Sequence, residues 1–145
     1  MALQRALAIE HATGNVDGVA VVRHSLATAA LVDRGYEEAR LHLQEALHLW
    51  LGHHVAEQFL DNAFVTLAVI ADSEGDTRRA AVLLASVDKL SASGRVLPPQ
   101  QRERFDAVQA RVRESLSPSE HDAVLQEVKR MSLEEAVKYA VASID

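Results

Sequence analysis

The sequence predicts an all-α fold, in which helix pairs stack into an α-α superhelix closed by a short C-terminal helical cap. Three observations carry this. Apolar residues recur at helical spacing along most of the chain. Glycines stand where those runs should end. A glycine-led pattern also returns after 40 residues, as GYEEARLHLQEALHL from Gly35 and GDTRRAAVLLASVDKL from Gly75. A helix pair of this period cannot bury its own apolar face, so neighbouring pairs stack. An ordinary helical bundle with coincidental spacing is the alternative.

Helices are expected near residues 2–13, 16–34, 36–51, 54–74, 76–93, 99–115, 118–130 and 133–143. The chain is expected to start inside a repeat, at its second helix, because a shift of 40 sets Ala6 on Ala46 and Leu7 on Leu47. In the second helix Val19, Val22, Leu26 and Ala29 step by three and four. Gly14, Gly35, Gly52, Gly75 and Gly94 each follow a helical run, where a left-handed C-terminal residue is wanted. The fourth helix contains FLDNAFVTLAVIA, with Phe59, Ala63, Leu67 and Ile70 in its stripe. It is apolar almost all round, and neighbours are expected on most of its sides.

Asp76 is placed to cap the next helix. Pro98-Pro99 forces an extended entry to the helix striped by Phe105, Val108, Val112 and Leu116. Ser117-Pro118-Ser119-Glu120 offers a Ser cap, a Pro at the first helical position and a Glu that reaches back. Ser132 to Glu135 repeats that logic without the Pro. The last stripe is Leu133, Val137, Ala140 and Ile144, with Glu134, Glu135 and Lys138 keeping the outer side soluble. The whole is expected to be one helical-repeat domain, with repeat helices over 1–94 and capping helices over 95–145.

Composition narrows the function. Aromatic residues make up only 4%, which favours helices packed through aliphatic and small side chains over a β-sandwich. The formal net charge of −6 argues against phosphate-backbone binding as the main role, so no direct nucleic-acid partner is expected. There is no cysteine, hence no disulfide, thiolate metal site or cysteine nucleophile, and a cytoplasmic setting is expected. MALQRALAIEHATGN does not read as a signal peptide, because Gln4, Arg5 and Glu10 interrupt any apolar run. No stretch nears the roughly 18 apolar residues of a membrane span.

Several constellations could carry chemistry. Glu38, His42 and Glu45 share a helical face, with His53-His54 nearby. A metal needs three or four converging ligands, and the competing reading is a solvated polar face. Asp72, Glu74 and Asp76 sit around a bend between helices, where capping explains them better than paired catalytic carboxylates. Arg102, Arg104, Arg111 and Arg113 interleave with Glu103, Asp106 and Glu114, as on a salt-laced exposed face. Asn62 with Thr66, and His24 with Thr28, are polar pairs one turn apart. They either bond to neighbouring backbone or line a ligand groove. No nucleophile elbow, phosphate loop or basic recognition helix is present. No enzymatic activity and no cofactor are expected.

The run from Gly75 to Ala140 resembles the C-terminal end of a bacterial family. Its members are large signal-transduction ATPases with tetratricopeptide-like repeats, often found in LuxR-type and antibiotic-regulatory transcription factors. The matching positions are Gly75-Asp76, Ala80-Ala81, Leu83-Leu84, Pro98-Pro99, Arg104-Phe105 and Ser132 to Ala136. The chain departs from the family where a Trp and a Gly are usual. It has Leu125 and Lys129-Arg130 there, and Leu125 is expected to fill a core position. Ser86 stands where Gly or Ala is common. The resemblance implies a tetratricopeptide-like superhelix serving as a non-catalytic sensor or protein-interaction module, with ATPase and effector domains upstream. Its partner would be another protein, a second copy or a small inducer, with no membrane involved. A free-standing adaptor is the alternative.

Overall fold

The computed structural model describes residues 16–53, 58–91 and 97–142. Every regular element among them is an α-helix. They are α1 (Val16–Val32), α2 (Tyr36–His53), α3 (Gln58–Ser73), α4 (Thr77–Ser91), α5 (Pro99–Ser115), α6 (Pro118–Arg130) and α7 (Leu133–Ala142). The all-α expectation therefore holds over this span. The helix expected at 2–13, together with Gly14, Gly94 and Ile144, lies outside the described residues. No helix among the described residues is long and apolar enough to cross a membrane. The chain divides into two compact units, one holding residues up to Leu60 and from Val141 onward, the other Asp61–Ala140. The expected division at 94–95 falls outside the described residues.

In the first unit α1 packs on α2. Ala27 and Ala39 are completely buried, and such small side chains let two helix backbones approach closely. Leu43 and Leu47 are also fully buried, each worth about 1.5–3 kcal/mol relative to exposure. The buried side of α1 is Leu26, Ala27, Ala30 and Leu31, while Ala29 is exposed. The stripe read from the sequence is thus rotated by about one residue at its end, because alanine is small enough to sit on either side. Gly52 does not end α2, which runs through it to His53.

The turn after α1 corrects the role of Gly35. Gly35 N–H donates to Ala30 O at 2.7 Å, and Arg34 N–H to Leu31 O at 3.0 Å. This is the paired closure of a Schellman motif, with its left-handed residue at Arg34, φ 59°. What favours glycine at position 35 is space: a Cβ there would lie 3.2 Å from Ala30 O, a tight contact. The turn after α3 has the same design. Asp76 N–H donates to Ala71 O at 2.9 Å and Gly75 N–H to Asp72 O at 3.1 Å, with Gly75 left-handed at φ 79°. Arg34 therefore corresponds to Gly75, and Gly35 to Asp76. The repeat register is one residue longer than the glycine alignment implies. A left-handed non-glycine residue costs about 1–2 kcal/mol, part of which is returned by the stiffer unfolded chain. Arg34→Gly is accordingly expected to raise stability by about 0.5–1 kcal/mol and Gly75→Ala to lower it by about 1 kcal/mol. Urea unfolding of both variants checks this, and a destabilised Arg34→Gly would refute it.

In the second unit α3 is buried on all sides, from Ala63 and Phe64 through Leu67, Ala68, Ile70 and Ala71. Gln101 Nε2 donates to Asn62 O at 3.0 Å, and Arg111 Nε to Asp72 Oδ2 at 2.6 Å. Both pairs are separated by 39 residues, so α3 and α5 lie side by side and run in the same direction. α4 packs against α5 and α6. Phe105, Val108 and Val112 form the buried stripe of α5, as expected, whereas Leu116 lies just past the helix as its extended, half-buried cap; Val124 and Val128 form the stripe of α6. Leu125 does not fill the core. It is 48% exposed, because Val124 and Val128 already occupy the inward face of that helix.

Both capping boxes form. Glu120 N–H donates to Ser117 Oγ at 3.2 Å while Ser117 N–H donates to Glu120 Oε1 at 3.0 Å. In the second, Glu135 N–H donates to Ser132 Oγ and Ser132 N–H to Glu135 Oε1, each at 3.1 Å. The backbone hydrogen bonds from Ser117 and Ser132 hold both glutamates below the ordinary range. A carboxylate with a depressed folded value adds stability that is complete above its unfolded value, near 4.5, and is lost as pH falls through the lower folded value. The melting temperature is expected to drop across that acid window, and the drop to be shallower in Glu120→Gln/Glu135→Gln, which removes both titrating carboxylates. Parallel profiles for the variant and the parent would refute this.

Candidate functional site

The four polar residues proposed as groove-lining separate into two environments. Thr66 is fully buried, and its hydroxyl donates to Asn62 O at 2.9 Å. Gln101 covers the same point, meeting Thr66 Oγ1 at 3.3 Å, and its Oε1 accepts from Arg104 Nη1 at 2.8 Å. Thr66 therefore cements α3 to α5 and offers no open groove surface. Asn62, half-buried, supplies the carbonyl at the centre of that joint. Thr28 donates to His24 O at 3.1 Å, one turn back, and both side chains are half-buried. In both pairs the threonine takes the backbone bond.

Glu38, His42 and Glu45 do come together, around a cation supplied by the chain. Arg23 Nη1 donates to His42 Nδ1 at 2.9 Å, and Nη2 pairs with Glu45 Oε2 at 2.6 Å. His42 Nε2 stands 3.7 Å from Glu38 Oε1. The guanidinium fills the place a metal would take. Among the described residues no group of three or more His, Asp or Glu could hold a metal ion. His54 and the side chain of His53 lie outside the described residues. Of the acidic trio at the bend, Asp72 pairs with Arg111 and Asp76 Oδ1 accepts from Arg79 N–H at 3.2 Å, a helix cap. On α5, Arg102 pairs with Asp106 at 3.3 Å and stands 5.0 Å from the Phe105 ring centroid.

Two neighbouring surface depressions on α4, α5 and α6 share Asp88, Gln109 and Arg113 in their linings. The first also has Arg102 in its lining, and the second adds the apolar Ala81, Ala85, Val112 and Leu125 to His121. Burial pushes the Asp88 carboxyl above its ordinary value, and Arg102 and Arg113 draw it partly back. The arrangement offers an acid flanked by two guanidinium groups next to an exposed leucine. That suits recognition of an amphipathic segment; no nucleophile with an adjacent base is assembled here.

Sequence reasoning passed over Gln101, Asp88 and Lys89. Gln101 had a signal, since the α5 stripe extended back by four lands on it. It fills a core position with an amide, buried to 5% exposure. Asp88 and Lys89 follow a helical apolar run and carry no local mark of what they face. Comparison with known proteins gave no matching family model, no matching curated protein and no matching solved structure.

Proposed function

We propose that this chain is a non-catalytic protein-interaction and sensor module, built as a tetratricopeptide-like superhelix and forming the C-terminal part of a bacterial regulatory ATPase or transcriptional regulator. The observation that carries it is the arrangement of alternate helices. α3 and α5 lie parallel with contacts 39 residues apart, and the C-terminal ends of α4 and α6 meet through Lys89 and Val128 at the same separation. Stacking of each helix on its counterpart one repeat later is how helix-pair arrays grow. The matched Schellman turns at Arg34 and Gly75 add a second mark of repetition. The depression with Asp88, Arg113 and Leu125 is the surface on which a partner segment would lie.

The test reads the coding sequence upstream of Met1. A continuous frame encoding a phosphate-binding loop is the expected result. An in-frame stop just upstream of a ribosome-binding site would overturn the regulatory-ATPase reading and leave a free-standing adaptor. The interaction half is tested with Leu125→Glu/Arg113→Glu in the full-length protein, which is expected to abolish partner or self-association while leaving the melting curve in place.

A further inference from the structure

The unit of residues 61–140 holds a cavity that none of the foregoing uses. Its volume is about 200 Å³. Phe64, Val128, Met131, Leu133 and Ala136 make its walls apolar, and Ser86, Lys89 and Ser132 are its polar residues. An apolar cavity of about 150 Å³ is large enough to take benzene. This one has room for a single ring or a short alkyl chain, and its walls offer such a ligand contact on several sides.

The hydrogen-bond inventory of the lining residues says which end group the ligand should carry. Ser86 donates its proton to Val82 O at 2.8 Å. Ser132 Oγ accepts from Glu135 N–H. The Lys89 ammonium donates to Val128 O at 3.1 Å and to Met131 O. An ammonium has three donors and a hydroxyl one. One N–H of Lys89 and the hydroxyl proton of Ser132, both on exposed residues, are not used by these bonds and can turn to a guest. No carboxylate lines the cavity. Glu135, the acid that acts on Lys89 through space, already has Oε1 committed to Ser132 N–H. The polar rim is a set of donors, one of them cationic.

We propose that this cavity binds a small apolar carboxylate, a short-chain fatty acid or an arylacetate, with its tail against Phe64 and Ala136 and its carboxylate at Lys89 and Ser132. The site names a ligand for the sensor role proposed above and rests on that reading for its regulatory meaning. Binding itself is a property of the isolated chain. An empty cavity would leave the repeat reading standing, and a parent without an ATPase would leave the cavity standing.

The experiment titrates the full chain with hexanoate and, separately, hexan-1-ol, following the methyl resonances of Val128, Met131, Leu133 and Ala136. Hexanoate is expected to shift these methyls and to bind about tenfold more tightly than the alcohol, the worth of one hydrogen bond to a charged group. Lys89→Met is expected to bring the two affinities together, and Ala136→Leu, which fills the cavity, to abolish both. Ser86→Val narrows the opposite wall and serves if Ala136→Leu melts early. Shifts that spread over the surface and ignore the filling variants would overturn the site. So would no response to either probe at millimolar concentration, while equal affinity for both in the parent chain would overturn the carboxylate assignment.

Discussion

Truncation after Arg130 is expected to abolish cooperative unfolding and to leave a chain that aggregates. α7 carries Val137 and Ala140 at complete burial, with Ala136 and Val141 close to it. Removing the helix strips the cover from the Phe64 and Ser86 side of the cavity and deletes Met131 O, one of the two acceptors of Lys89. Each aliphatic side chain exposed costs about 1.5–3 kcal/mol for the larger ones. Several lost together approach the roughly 5–15 kcal/mol that holds an ordinary domain folded. The measurement is a calorimetric scan with light scattering at two concentrations. Glu134→Ala/Lys138→Ala serves as control. That exposed pair, 3.5 Å apart, should change stability by less than about 1 kcal/mol. A truncated chain with an unchanged melting curve would show that α7 merely decorates the surface.

Phe64→Ala is expected to cost about 3–5 kcal/mol, with the upper part of that range favoured. Phe64 is the largest of the fully buried side chains among the described residues. It also walls the 200 Å³ cavity, so the void left by its ring joins space that is already empty. Neighbours on that side have no opposing atoms to relax toward, and the unrecovered volume stays large. Leu125→Ala, on an exposed leucine of α6, should cost under about 0.5 kcal/mol. Guanidinium titrations of the two variants decide the matter. A loss below about 1 kcal/mol for Phe64→Ala would mean that the core around α3 is fluid.

What could be read beforehand was local. The ends of α5 and α6 fall where Pro98-Pro99, Ser117-Pro118 and Ser132 put them, because a cap is decided within four residues. The all-round burial of α3 was legible because nearly every side chain in FLDNAFVTLAVIA is apolar. Errors arose where a choice depended on what lay opposite. Gly52 reads as a stop, yet the helix passes through it, since glycine permits the left-handed state without demanding it. At the α1–α2 turn the left-handed residue is Arg34, which no propensity singles out. Leu125 is apolar and well spaced, but Val124 and Val128 already supply the inward face. Thr66 was readable as a backbone-bonded threonine, whereas its link to Gln101 required knowing that α3 and α5 run parallel.

α6 ends on Lys129 and Arg130, two residues before the Ser132 box that opens α7. Met131 follows it in an extended conformation, without a glycine, and the carbonyls of Val128 and Met131 are met by Lys89 of α4, 39 and 42 residues earlier in the chain. Part of what satisfies the end of the helix is thus encoded far from the helix. A peptide of α6 alone would start sharply at its Ser117 box and unwind at its other end. During folding its last turn would become fixed only after α4 docks, making that turn a late, long-range event. In the native protein the Met131 amide, bonded to Val128 O, should exchange with solvent through separation of α4 from α6 and not through end fraying.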